Sequence, residues 1–144
     1  MGADVKNGAL DRLDLGVTMR SARSAPAACG DQADYEDCVS TTVNLPRAQR
    51  LLLVASAEYT TSGDTTGECL MEVDDNGTYG PRDFGEIVPA AGGATPASPA
   101  NVTMNDVTGI FPAGSHRVDL SCRSSGGALY VLEPELSVAA IGDG

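Results

Sequence analysis

The chain consists mainly of short apolar runs separated by polar turns. The longest unbroken apolar run in its body covers residues 51–55, between Pro46 and the polar residues 62–64. A short apolar run with turn signals on both sides is typical of a buried strand. Because this run is apolar on both faces of such a strand, it predicts the central strand of a sheet, with other structure packed on each side.

Further strands are predicted where apolar and polar residues alternate with a period of two. Alternating segments lie at residues 39–45, 68–73 and 116–122. Strand signals also occur at Val102, Met104, Val107, Ile110 and Phe111, and two more apolar segments lie at 128–132 and 136–141. Turn clusters separate them, and the pair Asn76 and Gly77 is a strong hairpin signal. Seven or eight short strands without sustained helical periodicity predict an all-β fold, an antiparallel β-sandwich of jelly-roll type.

The N-terminal region follows a different pattern, and we predict an extended arm over residues 1–28 ahead of a β-sandwich domain over residues 29–144. Leu10, Leu13 and Val17 repeat at spacings of three and four, which allows one or two helical turns. With Leu15 they form an apolar set that needs a partner surface. We expect the arm to dock on a larger assembly; a disordered tail is the alternative.

The charge of the chain excludes some classes of partner. Net charge is −11, and residues 25–144 carry seventeen acidic but only five basic side chains. A surface this acidic repels phosphate backbones and anionic lipids, so we expect neither nucleic acid nor membrane as a partner. No segment resembles a signal peptide or a membrane span, and we expect a complete chain made without a leader.

Four cysteines allow three disulfide pairings, and buried free thiols are a further possibility. We favour one bridge between Cys29 and Cys38, which closes a short acidic loop, and one between Cys69 and Cys122, which both point inward from their predicted strands. Two disulfides imply an oxidising location outside a cytoplasm.

Metal binding has weak support in the sequence. Glu72, Asp74, Asn76 and Asp83 overlap a calcium-loop pattern, but Asp83 stands where a bidentate Glu belongs and the flanks are strand-like. A plain turn is the simpler interpretation. No zinc motif and no cofactor motif is present, so we expect no cofactor.

Catalytic residues are not predicted. His116, the single histidine, opens a strand after a turn, where a packed or surface histidine is the simpler interpretation. No nucleophile motif accompanies it. A hydrolase therefore remains only a third hypothesis.

Several motifs resemble a bacterial and bacteriophage β-sandwich module: CGDQADYEDC, LPRAQRLLLVASAEY, ECLMEVDD, GIFPAGSHRVDLSC and LSVAAIG. Their layout is similar to the jelly roll of complement globular heads and tumour-necrosis-factor ligands. That resemblance implies a trimer that functions by binding, although the aromatic residues that pack the trimer axis of those ligands are nearly absent. The N-terminal DVKNGALDRLDLG resembles linkers ahead of such modules in actinobacterial and phage proteins.

These observations predict a non-enzymatic structural protein of a phage virion, either a capsid decoration (cement) protein or a fibre-tip module. It would dock through its arm onto other virion proteins and expose an acidic sandwich, in a virion or extracellular location. The alternative is a secreted adhesion or carbohydrate-binding module, with a host cell-surface glycan as a partner.

Overall fold

A computed structural model describes residues 19–23, 29, 33–62, 66–79, 100–125 and 128–141. These residues form eight strands, which occupy the following ranges: β1 Met19–Arg23, β2 Glu36–Leu45, β3 Gln49–Ser62, β4 Thr66–Val73, β5 Asn76–Tyr79, β6 Ala100–Phe111, β7 Gly114–Ser125 and β8 Ala128–Ile141. No helix in the described ranges is long and apolar enough to span a membrane.

The strands form two four-stranded antiparallel sheets. The first sheet has the order β1-β8-β3-β6 and the second has the order β2-β7-β4-β5. Strands that are consecutive in the chain therefore often lie in opposite sheets, as in a jelly roll with two Greek keys. The predicted all-β jelly-roll sandwich is confirmed.

The core lies between the sheets and contains the inward residues of both. In β3, Leu51, Leu53 and Ala55 are at most 1% exposed, whereas Leu52 and Val54 between them are half-buried. β3 is central in its sheet, as predicted, with β8 and β6 on its two sides. Burial alternates along the strand, so the second face of β3 is only partly covered, which is less than the predicted packing on both faces.

The first sheet includes residues that the sequence predicts as part of the arm. β1 pairs with β8 over its full length, from Met19 opposite Ala139 to Arg23 opposite Glu135. Ala22 packs against the core. The sandwich thus begins before residue 29, and the small residues around position 22 are strand residues because β8 offers them a pairing edge.

Two local predictions differ from the structure. The β4–β5 turn consists of Asp74 and Asp75, both with positive φ near 55°, and Asn76 already pairs with Val73. The pairing of Val73 with Asn76 places the turn one step before the Asn-Gly pair. The two aspartates can form this turn because aspartate tolerates the left-handed region of backbone conformation. The last two predicted strands are a single strand, β8, because a bulge with Glu133 at φ 46° carries the chain past the expected break.

Both favoured disulfides are present, one between Cys29 and Cys38 and one between Cys69 and Cys122. Cys69 and Cys122 lie directly opposite each other on β4 and β7, with their Cα atoms 4.0 Å apart. All four cysteines are buried in the core. The second bridge therefore connects neighbouring strands of one sheet on its inner face.

Candidate functional site

An apolar row crosses the outer face of the first sheet. The pairing register places Met19 opposite Ala139, Ala139 opposite Leu52, and Leu52 opposite Val107, so these four residues form one line across all four strands. Directly opposed residues of antiparallel strands share a face. Leu51 and Leu53, which flank Leu52 in the sequence, point into the core. Because successive side chains of a strand point to opposite faces, Leu52 and the rest of its row point away from the core.

The next rows enlarge the apolar patch on both sides. Ile110 and Ile141 lie opposite Arg50 in one neighbouring row, and Val54 lies in the other. We call the seven apolar residues of these rows the apolar face: Met19, Leu52, Val54, Val107, Ile110, Ala139 and Ile141. Four large apolar side chains of the described residues are clearly exposed, and three of them belong to this face: Met19 (57%), Val107 (46%) and Ile110 (54%).

The fourth exposed side chain, Tyr130, lies on β8 toward the opposite, polar end of the same sheet. This end contains a cavity of about 230 Å³ with three glutamates in its lining. Its polar lining residues are Ser56, Glu58, Asn101, Thr103, Glu133 and Glu135. The first sheet is therefore apolar at one end and acidic at the other.

The outer face of the second sheet is entirely different, because it is built around a buried carboxylate. Asp119 on β7 is 0% exposed, and its Oδ1 accepts hydrogen bonds from Arg117 Nε at 2.8 Å and from the hydroxyl of Ser40. Arg117 also donates to Asp37 Oδ2 at 2.6 Å, and Ser121 donates to Asp37 Oδ1 at 2.8 Å. Asp119 Oδ2 has no hydrogen-bond partner among the described residues.

Negative charge accumulates around this network. Partial burial raises the pKa of Glu72, and the carboxylates of Asp37, Asp75 and Asp119 raise it further. Arg117 is the cation that contacts both Asp37 and Asp119. One guanidinium therefore faces several carboxylates, and this face stays acidic and polar.

His116 connects two turns at one end of the sandwich. Its Nδ1 lies 2.7 Å from Asp74 Oδ2, and its Nε2 lies 2.8 Å from the carbonyl oxygen of Pro112. A carboxylate and a carbonyl oxygen both accept hydrogen bonds, so this geometry favours the protonated form of the imidazole, in which both ring nitrogens donate. Burial lowers the pKa of His116, but the bonds to Asp74 and Pro112 outweigh it and leave the pKa above its ordinary value.

The contacts of His116 hold it in place at the end of the sandwich. Its ring packs edge-on against Phe111 at 5.1 Å between centroids, and 5% of the residue is exposed. Asp74 Oδ1 accepts from the backbone N–H of Arg117 at 2.8 Å, which fixes the carboxylate from the other side. Both ring nitrogens are thus occupied by partners from the two turns.

Only some of the candidate calcium ligands lie among the residues that the structure describes. Glu72 and Asp74 lie at the end of β4, but Asp74 binds His116 and Arg117, and no group of three potential ligands in the described ranges could hold a metal. The side chain of Asn76 and all of Asp83 lie outside the described part of the chain. The arm residues Leu10, Leu13, Leu15 and Val17 also lie outside them.

Sequence reasoning missed both outer faces. The apolar face was signalled by the unbroken run of residues 51–55, whose outward members Leu52 and Val54 need not be covered. The buried network was signalled only by the alternation of Arg117, Asp119 and Ser121 along β7, which is typical of a solvent-exposed strand face.

No family model and no curated protein matches this sequence. Solved structures similar to it include the Eiger TNF of S. frugiperda, at 14% identity over 86% of this chain and 87% of that chain (TM-score 0.43). Another is infectious bursal disease virus Gx strain, at 16% identity over 87% of this chain (TM-score 0.41). This chain spans about a third (32%) of the length of the viral chain. Similarity at this level identifies no function, and the jelly-roll assignment depends on the strand order of this chain.

Proposed function

We propose that this chain is a non-enzymatic structural protein of a virion or other extracellular assembly, such as a phage capsid decoration protein or fibre-tip module. The main support is the difference between the two outer faces of the sandwich. The first sheet has a partly exposed apolar face suited to attachment, whereas the second has a charged, acidic face suited to solvent. An exposed apolar patch with polar surroundings is typical of a surface that contacts another protein.

The position of the N-terminal segment supports the same orientation. The segment joins the sandwich at Met19, which is part of the apolar face. The sandwich therefore begins, at Met19, on the proposed attachment side. The two buried disulfides fit the oxidising conditions of an extracellular location.

A test of this role is to purify extracellular particles from the source cells on a density gradient and to detect the chain with an antibody against the sandwich. We expect the chain to sediment with the particles. A chain found only in the cell lysate would contradict the proposal. Deletion of residues 1–17, which leaves β1 intact, should prevent incorporation, and deletion of residues 142–144 is the matched control.

A second candidate function is a secreted glycan-binding or adhesion module. The cavity of about 230 Å³ at the polar end of the first sheet favours it, because hydroxyl, amide and carboxylate groups there can bond sugar hydroxyls. Binding on a glycan array that is lost on Glu58→Gln and retained on Thr42→Glu would support this function over the structural one.

A further inference from the structure

We propose that Glu72 and Asp119 share one proton, which the carboxyl group of Glu72 donates to Asp119 Oδ2, and that this proton strengthens the attachment of the β4–β5 hairpin to β7. The bond is present in acid and is lost when Glu72 ionises, so the hairpin responds to pH. The inference goes beyond the proposed structural role and does not depend on it, because it concerns contacts within the second sheet.

Glu72 and Asp119 lie directly opposite each other on the neighbouring antiparallel strands β4 and β7. Val73 follows Glu72 and Val118 precedes Asp119, and both valines are 0% exposed in the core. Because successive side chains of a strand point to opposite faces, both acidic side chains lie on the outer face of the sheet. Directly opposed residues have Cβ atoms about 4.5–5.5 Å apart, so the carboxyl group of a glutamate can reach that of an opposing aspartate.

Asp119 has one oxygen with hydrogen-bond partners and one without. Its Oδ1 accepts from Arg117 and Ser40, whereas Oδ2 has no partner among the described residues. The residue is 0% exposed. A buried acceptor without a donor is costly, so a donor that reaches Oδ2 stabilises the folded chain. A protonated glutamate carries such a donor, because a carboxyl group has one O–H.

The surroundings of Glu72 favour the protonated form of its carboxyl group. Two ionised carboxylates in directly opposed positions repel each other. Partial burial is the largest cause that raises the pKa of Glu72 above its ordinary value of 4.5, and the carboxylates of Asp37, Asp75 and Asp119 raise it further. A hydrogen bond with Ser121 acts in the opposite direction but does not reverse the shift.

The remaining neighbours of Glu72 do not reduce this repulsion. Arg117 is the cation of this face, and its guanidinium contacts Asp37 and Asp119. On the other side of β4, the residue opposite Glu72 is Thr78 of β5, which does not titrate. A proton on Glu72 therefore removes the repulsion and supplies the missing donor at the same time.

The shared proton acts on an end of the second sheet. β5 has four residues and is an end strand in the described part of the chain, so its position depends on the adjoining end of β4. The disulfide between Cys69 and Cys122 holds the other part of β4 to β7. Opening is therefore confined to the hairpin beyond the disulfide, which is the segment that contains Glu72.

The effect has a defined direction with pH. The folded pKa of Glu72 lies above 4.5, so the contribution of the shared proton is complete below pH 4.5 and is lost as pH rises through the folded pKa. The loss of one proton changes the opening equilibrium of the hairpin by up to about tenfold per pH unit. His116 loses its proton in a separate range, which begins at pH 6.5.

The first experiment follows the side-chain carboxyl resonance of Glu72 by NMR in the full-length protein with isotope-labelled glutamate. EDTA is present, so that no divalent cation competes with the proton. The resonance is assigned by its absence in Glu72→Gln. We expect a titration midpoint above 4.5 in the wild type and a lower midpoint in Asp119→Asn, which removes the opposing charge. A wild-type midpoint at or below 4.5 would overturn the proposal whether or not Asp119→Asn folds.

The second experiment measures hydrogen exchange of the β5 amides relative to those of β8, after correction for the intrinsic exchange rate at each pH. Wild-type protection of β5 should fall as pH rises above 4.5. Glu72→Gln keeps a donor for Oδ2 at every pH, so at pH 7 its β5 protection should exceed that of Glu72→Ala by about tenfold or more. The matched control Glu58→Gln removes one carboxylate from the first sheet and should behave as the wild type does.

Two results of the exchange experiment would contradict the inference. Equal β5 protection in Glu72→Gln and Glu72→Ala at pH 7 would show that residue 72 supplies no donor to Oδ2, and the shared proton would be overturned. Wild-type protection that stays constant between pH 4.5 and 8 would overturn the pH response of the hairpin. Neither experiment involves particles, so this inference and the virion role can fail separately.

Discussion

Asp74 and His116 connect the β4–β5 turn to the start of β7 through a contact of 2.7 Å between Oδ2 and Nδ1. The side chain of His116 is 7% exposed and that of Asp74 is 38% exposed. The chain has one histidine, so this pair can be followed without interference from other imidazoles.

The pair predicts a pH dependence of stability. The folded pKa of His116 lies above the ordinary value of 6.5, so its contribution is complete below pH 6.5 and is lost as pH rises through the folded pKa. The bonds to His116 and Arg117 outweigh burial and place the pKa of Asp74 below 3.8, so its contribution is present above pH 3.8 and is lost as pH falls through the folded pKa. The pair is therefore strongest between these limits.

Urea unfolding at a series of pH values measures this effect. Above pH 6.5 the free energy of unfolding should fall by up to about 1.4 kcal/mol per pH unit until the folded pKa is passed. The variant His116→Ala should be less stable at pH 6 and show no such decline. A wild-type curve that is flat between pH 6 and 8, or a His116 resonance that titrates below 6.5, would contradict the prediction.

Removal of Arg117 should destabilise the sandwich through Asp119. Asp119 is fully buried, and Arg117 Nε is one of two donors to its Oδ1. Arg117→Ala leaves the buried carboxylate of Asp119 without its cation and with one hydrogen-bond donor fewer. We expect the free energy of unfolding to fall by about 2 kcal/mol, a moderate loss because the guanidinium is itself half exposed. Arg123→Ala is the control.

Arg123 resembles Arg117 in exposure but pairs with Glu68, which keeps 18% of its side chain accessible. Its removal should cost less than the removal of Arg117, because an ion pair in contact with solvent contributes little to stability. Chemical denaturation of both variants at pH 7 compares them directly. Equal losses in the two variants would show that burial of Asp119 has no energetic consequence.

The one-sided burial of β3 predicts unequal effects of neighbouring leucines. Leu53 is 0% exposed and faces the core, so Leu53→Ala should lower the free energy of unfolding by about 3–5 kcal/mol. Leu52 faces outward and is half-buried, so Leu52→Ala should cost about 1 kcal/mol when measured on the dilute protein. Similar losses would indicate that the outer face of β3 is covered in the free chain.

The two disulfides should contribute unequally. The loop between Cys69 and Cys122 spans 53 residues and that between Cys29 and Cys38 spans 9. On the chain-entropy model the long loop contributes about 4 kcal/mol and the short loop about 2.7 kcal/mol. Urea unfolding of the two double Cys→Ala variants without reductant should show the larger loss for the Cys69/Cys122 variant, and the reverse order would contradict the model.

Properties that depend on near neighbours in the chain were predictable from the sequence. The alternation around Val43 and Val118 predicts strands and their inward faces, because period-two patterning is a local property. The inward phase of Cys69 and Cys122 favours their pairing for the same reason. The class of fold follows from the number and spacing of such segments.

Properties that depend on pairing between distant segments required the tertiary structure. The pairing of β4 with β5 places the turn at Asp74 and Asp75 instead of at the Asn-Gly pair, and β8 incorporates Met19–Arg23 because it offers an open edge.

The same distinction separates the two outer faces. Alternation along β7 shows that Asp119 points away from the core, whereas the unbroken apolar run around Leu52 shows no inward phase. Neither pattern carries information about what covers these side chains. Only the assembled sheets show that Asp119 is buried beside Arg117, while Leu52 forms part of a partly exposed apolar row. The physical reason is that side-chain direction is set within a strand, whereas burial is set by residues that are distant in sequence.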